Sequence, residues 1–145
     1  MIESINIRTE GRVIFRDENN SIYKVQKIYN LITTAGRQWV LQRLIGASSA
    51  VFQNIELGDD GTTSTTLLDT GVNNLVTTLP VSITDDTANS KILLSATIPQ
   101  STFIGQDFAE AALILDDATC FNHSRFTLFT KSASQVDVEW EIIYS

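Results

Sequence analysis

The chain has 145 residues, 43% of them apolar and 19% charged, which suits one domain spanning residues 1–145 and excludes a disordered polymer. Ten basic residues against 17 acidic ones leave a net charge of −7, and the single cysteine, Cys120, excludes an internal disulfide framework and any zinc site built on several cysteines. No stretch approaches the length of an apolar membrane span, and Met1–Arg8 lacks the basic and apolar regions of a signal peptide, so neither is expected.

Ile2, Ile5 and Ile7 mark a short strand over residues 2–8 that suits a sheet edge. Val13–Arg16 and Ile22–Tyr29 flank Asp17-Glu-Asn-Asn-Ser21, where Asn19-Asn20 tolerates positive φ, so a hairpin is predicted. Its second strand sets Tyr23, Val25 and Tyr29 on one face and Lys24 and Gln26 on the other. Thr33 or Thr34 then caps a short helix near residues 34–45, with Val40, Leu41, Leu44 and Ile45 on one face, Arg43 in the last turn and Gly46 as the stop. Val51–Leu57 alternates, Gly58-Asp-Asp-Gly61 breaks the run, and residues 62–70 are a threonine-rich loop. Leu75–Ile83 sets Leu75, Leu79, Val81 and Ile83 on one side, with Pro80 pointing to an edge or a bulge. Lys91–Ile98 follows with Ile92, Leu94, Ala96 and Ile98 inward.

Phe108–Leu115 has helical composition, but its length and its strand neighbours favour a strand with Leu113 and Leu115 inward. Arg125–Thr130 and Val136–Tyr144 close the chain, joined through Lys131–Gln135, which reads as a hairpin. The last strand places Val136, Val138, Trp140 and Ile142 opposite Asp137, Glu139 and Glu141. About eight strands and one helix suggest an antiparallel β-sandwich of jelly-roll type.

Chemistry-bearing motifs are sparse. His123 is the only histidine and lacks a Gly-x-Ser-x-Gly partner motif. Cys120 and His123 offer a thiolate–imidazole pair or half a metal site, outweighed by a structural role in a turn. Asp59-Asp60, Asp85-Asp86 and Asp116-Asp117 all fall at predicted turns, where Asp is favoured for its own hydrogen bonding, although Asp59, Asp60 and Asp69 together would suit a calcium ion. Neither phosphate-cradling glycine motif occurs. Trp39 fits core or interface, Trp140 core, and Phe103 and Phe121 would be partner contacts if exposed.

Charge is unevenly spread. Residues 1–43 hold seven basic and four acidic residues, while residues 44–145 hold three and thirteen. The acids interleaved among the basic residues argue against a nucleic-acid stripe. The split suits either scattered solvated faces or a basic end that docks on an acidic surface, such as that of an identical copy. Residues 1–29, a strand and hairpin, are the candidate docking arm, and Arg8, Arg12, Arg16, Lys24, Lys27 and Trp39 are the candidate interface residues.

The order of segments resembles a known group. Asn30-Leu-Ile-Thr-Thr-Ala-Gly-Arg37 leads into the helix. Ile55-Glu-Leu-Gly-Asp-Asp-Gly-Thr-Thr63 and Leu68-Asp-Thr-Gly-Val-Asn-Asn-Leu75 follow, then Phe108-Ala-Glu-Ala-Ala-Leu-Ile-Leu115 and a terminal strand bearing Trp140. From Asn30 to Tyr144 this is similar to small virion structural proteins of tailed bacteriophages. Three places depart from their pattern: Asp59-Asp60-Gly61, Asn73-Asn74-Leu75 and Ala111-Ala112. The resemblance implies a non-enzymatic virion part, assembled in the host cytoplasm, from the tail, baseplate or fibre-attachment region. It implies a homo-oligomer, as a trimer or ring, docked on other virion proteins. No cofactor, metal, nucleic acid or membrane is expected. A capsid decoration protein is the alternative, and a carbohydrate-binding module a more distant one.

Overall fold

A computed structural model describes residues 6–144, and Ile2 and Ile5 of the expected first strand lie outside them. Nine strands and one α-helix follow in chain order. They are β1 (Ile7–Arg16), β2 (Ile22–Ile32), α1 (Thr34–Leu44), β3 (Phe52–Gly58), β4 (Leu75–Pro80), β5 (Ser82–Asp86), β6 (Lys91–Ile98), β7 (Asp107–Leu115), β8 (Asn122–Thr130) and β9 (Val136–Tyr144). All pairings are antiparallel, in the order β4-β3-β7-β8-β2-β1-β9-β6-β5.

The two ends of that order are halves of one run. β4 pairs with β3, β5 pairs with β6, and only Val81 separates Pro80 from Ser82. Pro80 has no amide hydrogen to give a ladder, so the run bends there and changes partner. The sheet thereby comes nearly full circle, and the fold is barrel-like, where a jelly-roll sandwich was expected.

Period-2 alternation fills the interior. Val136, Val138 and Trp140 of β9 face Leu94, Ala96 and Ile98 of β6, as the sequence pattern predicts, and all are buried. Val13 and Phe15 of β1, Ile55 and Leu57 of β3, and Leu113 of β7 complete the core. Gly11 makes room for Trp140: a Cβ there would lie 2.7 Å from the indole Cδ1 and Nε1. The indole Nε1–H donates to Ser124 Oγ at 3.3 Å, so the buried ring keeps a hydrogen bond.

Four expectations change. The first strand and the first arm of the hairpin are one strand, β1, because Gly11 continues the ladder to both β2 and β9. Leu75 and Ile83 are exposed, since β4 and β5 are split by the bend. Lys131–Gln135 makes no hairpin: β8 pairs with β2 and β7, whereas β9 pairs with β1 and β6. The link is a crossover, held where the Lys131 amide donates to Gln106 and the Gly105 amide to Lys131, both at 2.8 Å. Its buried ammonium donates to the Ser132 carbonyl at 2.7 Å.

The fourth concerns α1. Thr33 caps it, accepting from the Gly36 amide at 2.9 Å and donating to the Cys120 carbonyl at 2.6 Å. Gly36 alone on the helix is fully buried, and a Cβ there would lie 2.2 Å from the Phe121 carbonyl oxygen. Trp39 packs edge-on against Phe52 and Phe121, at 5.1 and 5.7 Å, and donates to the Ala50 carbonyl at 3.1 Å. The helix thus lies across the mouth formed by the starts of β1 and β6 and the end of β9, where Ile7, Ile92 and Ile142 share a cleft with Trp39 and Val40. It docks by Gly36, Trp39 and Val40. Of the predicted inward face only Val40 packs on the core, and the rest is turned out: Leu41, Leu44 and Ile45 are 64, 75 and 80% exposed.

Candidate functional site

Two features stand apart from the core: a buried charged cluster beneath the 59–74 loop and the outward face of α1. The cluster begins with β7. Glu110 is the one charged residue in an otherwise apolar run of buried positions, and it faces away from the barrel interior. The 59–74 loop covers it. Glu110 Oε1 accepts from the Asn73 amide at 2.7 Å, and Oε2 accepts from the Asn74 and Asp60 amides, both at 3.0 Å. Gly58 permits this approach, since a Cβ there would lie 2.6 Å from Glu110 Oε2.

His123 on β8 completes the cluster. It is fully buried, its Nε2 meets Glu110 Oε1 at 2.8 Å and its Nδ1 meets Asp69 Oδ2 at 2.6 Å. Carboxylate oxygens only accept, so an imidazolium with a proton on each nitrogen satisfies both contacts. Burial pushes the Asp69 carboxyl up, but the Thr66 amide, His123 and the Thr66 hydroxyl more than offset this and hold it below the ordinary carboxylate range. Glu56 joins from β3, accepting from the Val72 amide at 3.1 Å. The chemistry this arrangement performs is retention: Glu110, His123 and Glu56 of the barrel hold five points of a polar loop that has no strand of its own.

The pairings suggested by spacing do not form. Cys120 Sγ approaches the Asn122 carbonyl at 3.1 Å, not His123. Burial first, then Glu56 and Asp69, push its thiol up to about 12, so it stays protonated and unreactive at neutral pH. The paired aspartates serve their own turns. Asp60 accepts from the Thr62 and Thr63 amides, Asp85 from that of Thr87, and Asp117 from that of Thr119. Asp59 meets Asn74, and Asp69 is held by His123 and Thr66, so these carboxylates do not converge on a calcium position. Among the described residues, no three His, Cys, Asp or Glu side chains are grouped to hold a metal ion. Phe121 is buried, and Phe103 packs edge-on against Phe108 at 6.0 Å, which removes one aromatic platform and occupies part of the other.

The candidate interface residues scatter. Arg12 pairs with Glu139 and, at 3.6 Å, with Glu141, while Arg16 reaches Asp137 at 2.8 Å. These are cross-strand partners on the outward face of β1 and β9, so part of the charge split between the halves of the chain is settled within the molecule. Arg8 lies beside Glu10 at 3.9 Å, both exposed, and Lys24 sits over the Phe15 ring at 5.2 Å. Lys27 is exposed on β2 opposite Arg12, and Trp39 lies in the aromatic contact under α1. β1 and β2 each have strands on both sides, so docking through residues 7–29 would use outward side chains and not free backbone.

Sequence reasoning missed the Asp69–His123–Glu110 cluster. Its members are 54 and 13 positions apart, and no motif spans them. One signal was present: a carboxylate inside an apolar strand must find donors. No protein family model matches the chain. No curated protein matches it, and no solved structure does. No helix among the described residues is long and apolar enough to cross a membrane.

Proposed function

We propose that this chain is a non-enzymatic structural component of a tailed-phage virion, from the tail, baseplate or fibre-attachment region. It would act by self-assembly and by docking on other virion proteins, within particles assembled in the host cytoplasm. The observation that carries the reading is the outward ridge of Leu41, Leu44 and Ile45, three exposed apolar side chains on a helix already anchored through Gly36, Trp39 and Val40. The ordered resemblance from Asn30 to Tyr144 supports the virion setting. The buried cluster supports a structural role, because its polar atoms are engaged in holding the 59–74 loop. A jelly-roll sandwich, as implied for such modules, would be a flattened form of this barrel, divided at β2.

The test is to remove the coding sequence from the phage genome that carries it and image the particles. Full heads with defective tails or failed adsorption are expected. Intact tails with fragile heads would transfer the reading to capsid decoration, and unchanged particles that lack the protein would overturn it.

A further inference from the structure

The α1 ridge has a complement on the same molecule. A cleft of about 410 Å³ opens beside the first turn of α1, between Gln38, Leu67 and Leu68 of the covering loop, Asp69, and Ala118 and Cys120 of the β7–β8 turn. Leu68 at its rim is 82% exposed. Asp117 adjoins the rim and is exposed, and no Lys or Arg lines the cleft. The helix is the opposite: it carries Arg37 and Arg43 and no acidic residue. Its ridge is apolar, as Leu67, Leu68 and Ala118 of the mixed cleft wall are, and Arg37, one turn before Leu41, sets a positive charge beside it where the rim carries Asp117.

Two ridges placed face to face would bring the Arg37 side of one helix against that of another with no acidic residue on either, a like-charge contact that costs affinity. A ridge placed in a neighbour's cleft pairs unlike charges and covers apolar surface on both sides. We propose that copies of this chain associate head to tail, with Leu41, Leu44 and Ile45 of one copy seated in the Leu68–Asp117 cleft of the next. Such a contact uses two different patches, so it repeats and closes into a ring when the rotation between copies permits. α1 supplies the ridge with its later turns and one wall of the cleft with Gln38, so each copy presents the two halves of the contact side by side. The inference rests on the self-assembly part of the proposed function and specifies its geometry.

The experiment is the mass of the purified full chain at tens of micromolar, by light scattering, for the unaltered protein and two surface variants. Leu41→Glu spoils the ridge and leaves the cleft. Leu68→Arg spoils the cleft and leaves the ridge. The unaltered chain is expected as a multimer, and each variant alone as a monomer with association weakened by about tenfold or more. An equimolar mixture of the two variants is expected to form a species of two chains and nothing larger, since one intact ridge meets one intact cleft. That species also shows that both variants are folded. A monomeric unaltered chain, a mixture that stays monomeric, or a Leu68→Arg chain that still forms the full multimer would each overturn the proposal. A head-to-tail multimer whose loss leaves phage particles unchanged would refute the virion role and leave this contact standing.

Discussion

Glu110→Gln is the sharpest perturbation of the buried cluster. The substitution keeps shape and volume and removes the charge. In the native protein the carboxylate accepts from three loop amides, at 2.7, 3.0 and 3.0 Å, and from His123 at 2.8 Å. An amide group in its place turns one acceptor oxygen into a donor, which then faces donors, and leaves the imidazole with one carboxylate instead of two. Breaking a fully buried charged pair costs about 3–5 kcal/mol. A chain of this size loses about 2–4 °C in Tm for each kcal/mol, so Tm should fall by roughly 6–20 °C. Calorimetry measures the total, and amide hydrogen exchange locates it. Protection should drop first at Asp60, Asn73 and Asn74. Pairing the change with His123→Gln should cost less than the sum of the two, because each single change strands the other partner. A loss below about 1 kcal/mol with unchanged protection at these three amides would refute the account of the loop as held by this carboxylate.

Three further outcomes follow from local geometry. Gly36→Ala should destabilise by about 3 kcal/mol, the upper end for overpacking, since its methyl would meet the backbone carbonyl of Phe121 and no rotamer can relieve it; urea denaturation measures the loss. Asp69 titrates below its unfolded value, so its contribution to stability is present above the ordinary carboxylate range and is lost as pH falls through the lower folded value; Asp69→Asn should flatten the decline in urea midpoint between about pH 5 and pH 2. Cys120 should resist a thiol reagent at pH 8 in the folded chain and react fully once urea unfolds it, because burial holds its thiol near 12.

Much of the barrel was legible because its strands are buried on one face. Trp140 and its period-2 neighbours could face only one way, and the acids between them could face only the other. The Thr33 cap was legible as one of two candidates because capping is local chemistry. The face of α1 was legible only at Val40. Periodicity locates an apolar stripe but not what lies under it, and here a glycine and a tryptophan dock the helix through a closer contact than leucines could make. The partners of β8 and β9 were also hidden: five residues, four of them polar, suit a hairpin and a crossover equally, and the choice depends on residues 105 and 106. The buried cluster escaped for a similar reason, since its hydrogen bonds join segments that only the folded sheet brings together.

The place of β9 has a consequence for synthesis. It lies between β1, made before it by more than a hundred residues, and β6, and it supplies one side of the ladder to each. Until Val136–Tyr144 leaves the ribosome, β1 and β6 both carry an open edge, and Trp140, the largest buried side chain, is missing from the interior. A nascent chain stopped before β9 therefore exposes two adhesive strand edges and a hollow core. Such a chain is prey for proteases and chaperones, and few copies would enter any assembly unfinished. Self-association through the surface of α1, complete long before, would have to wait on β9.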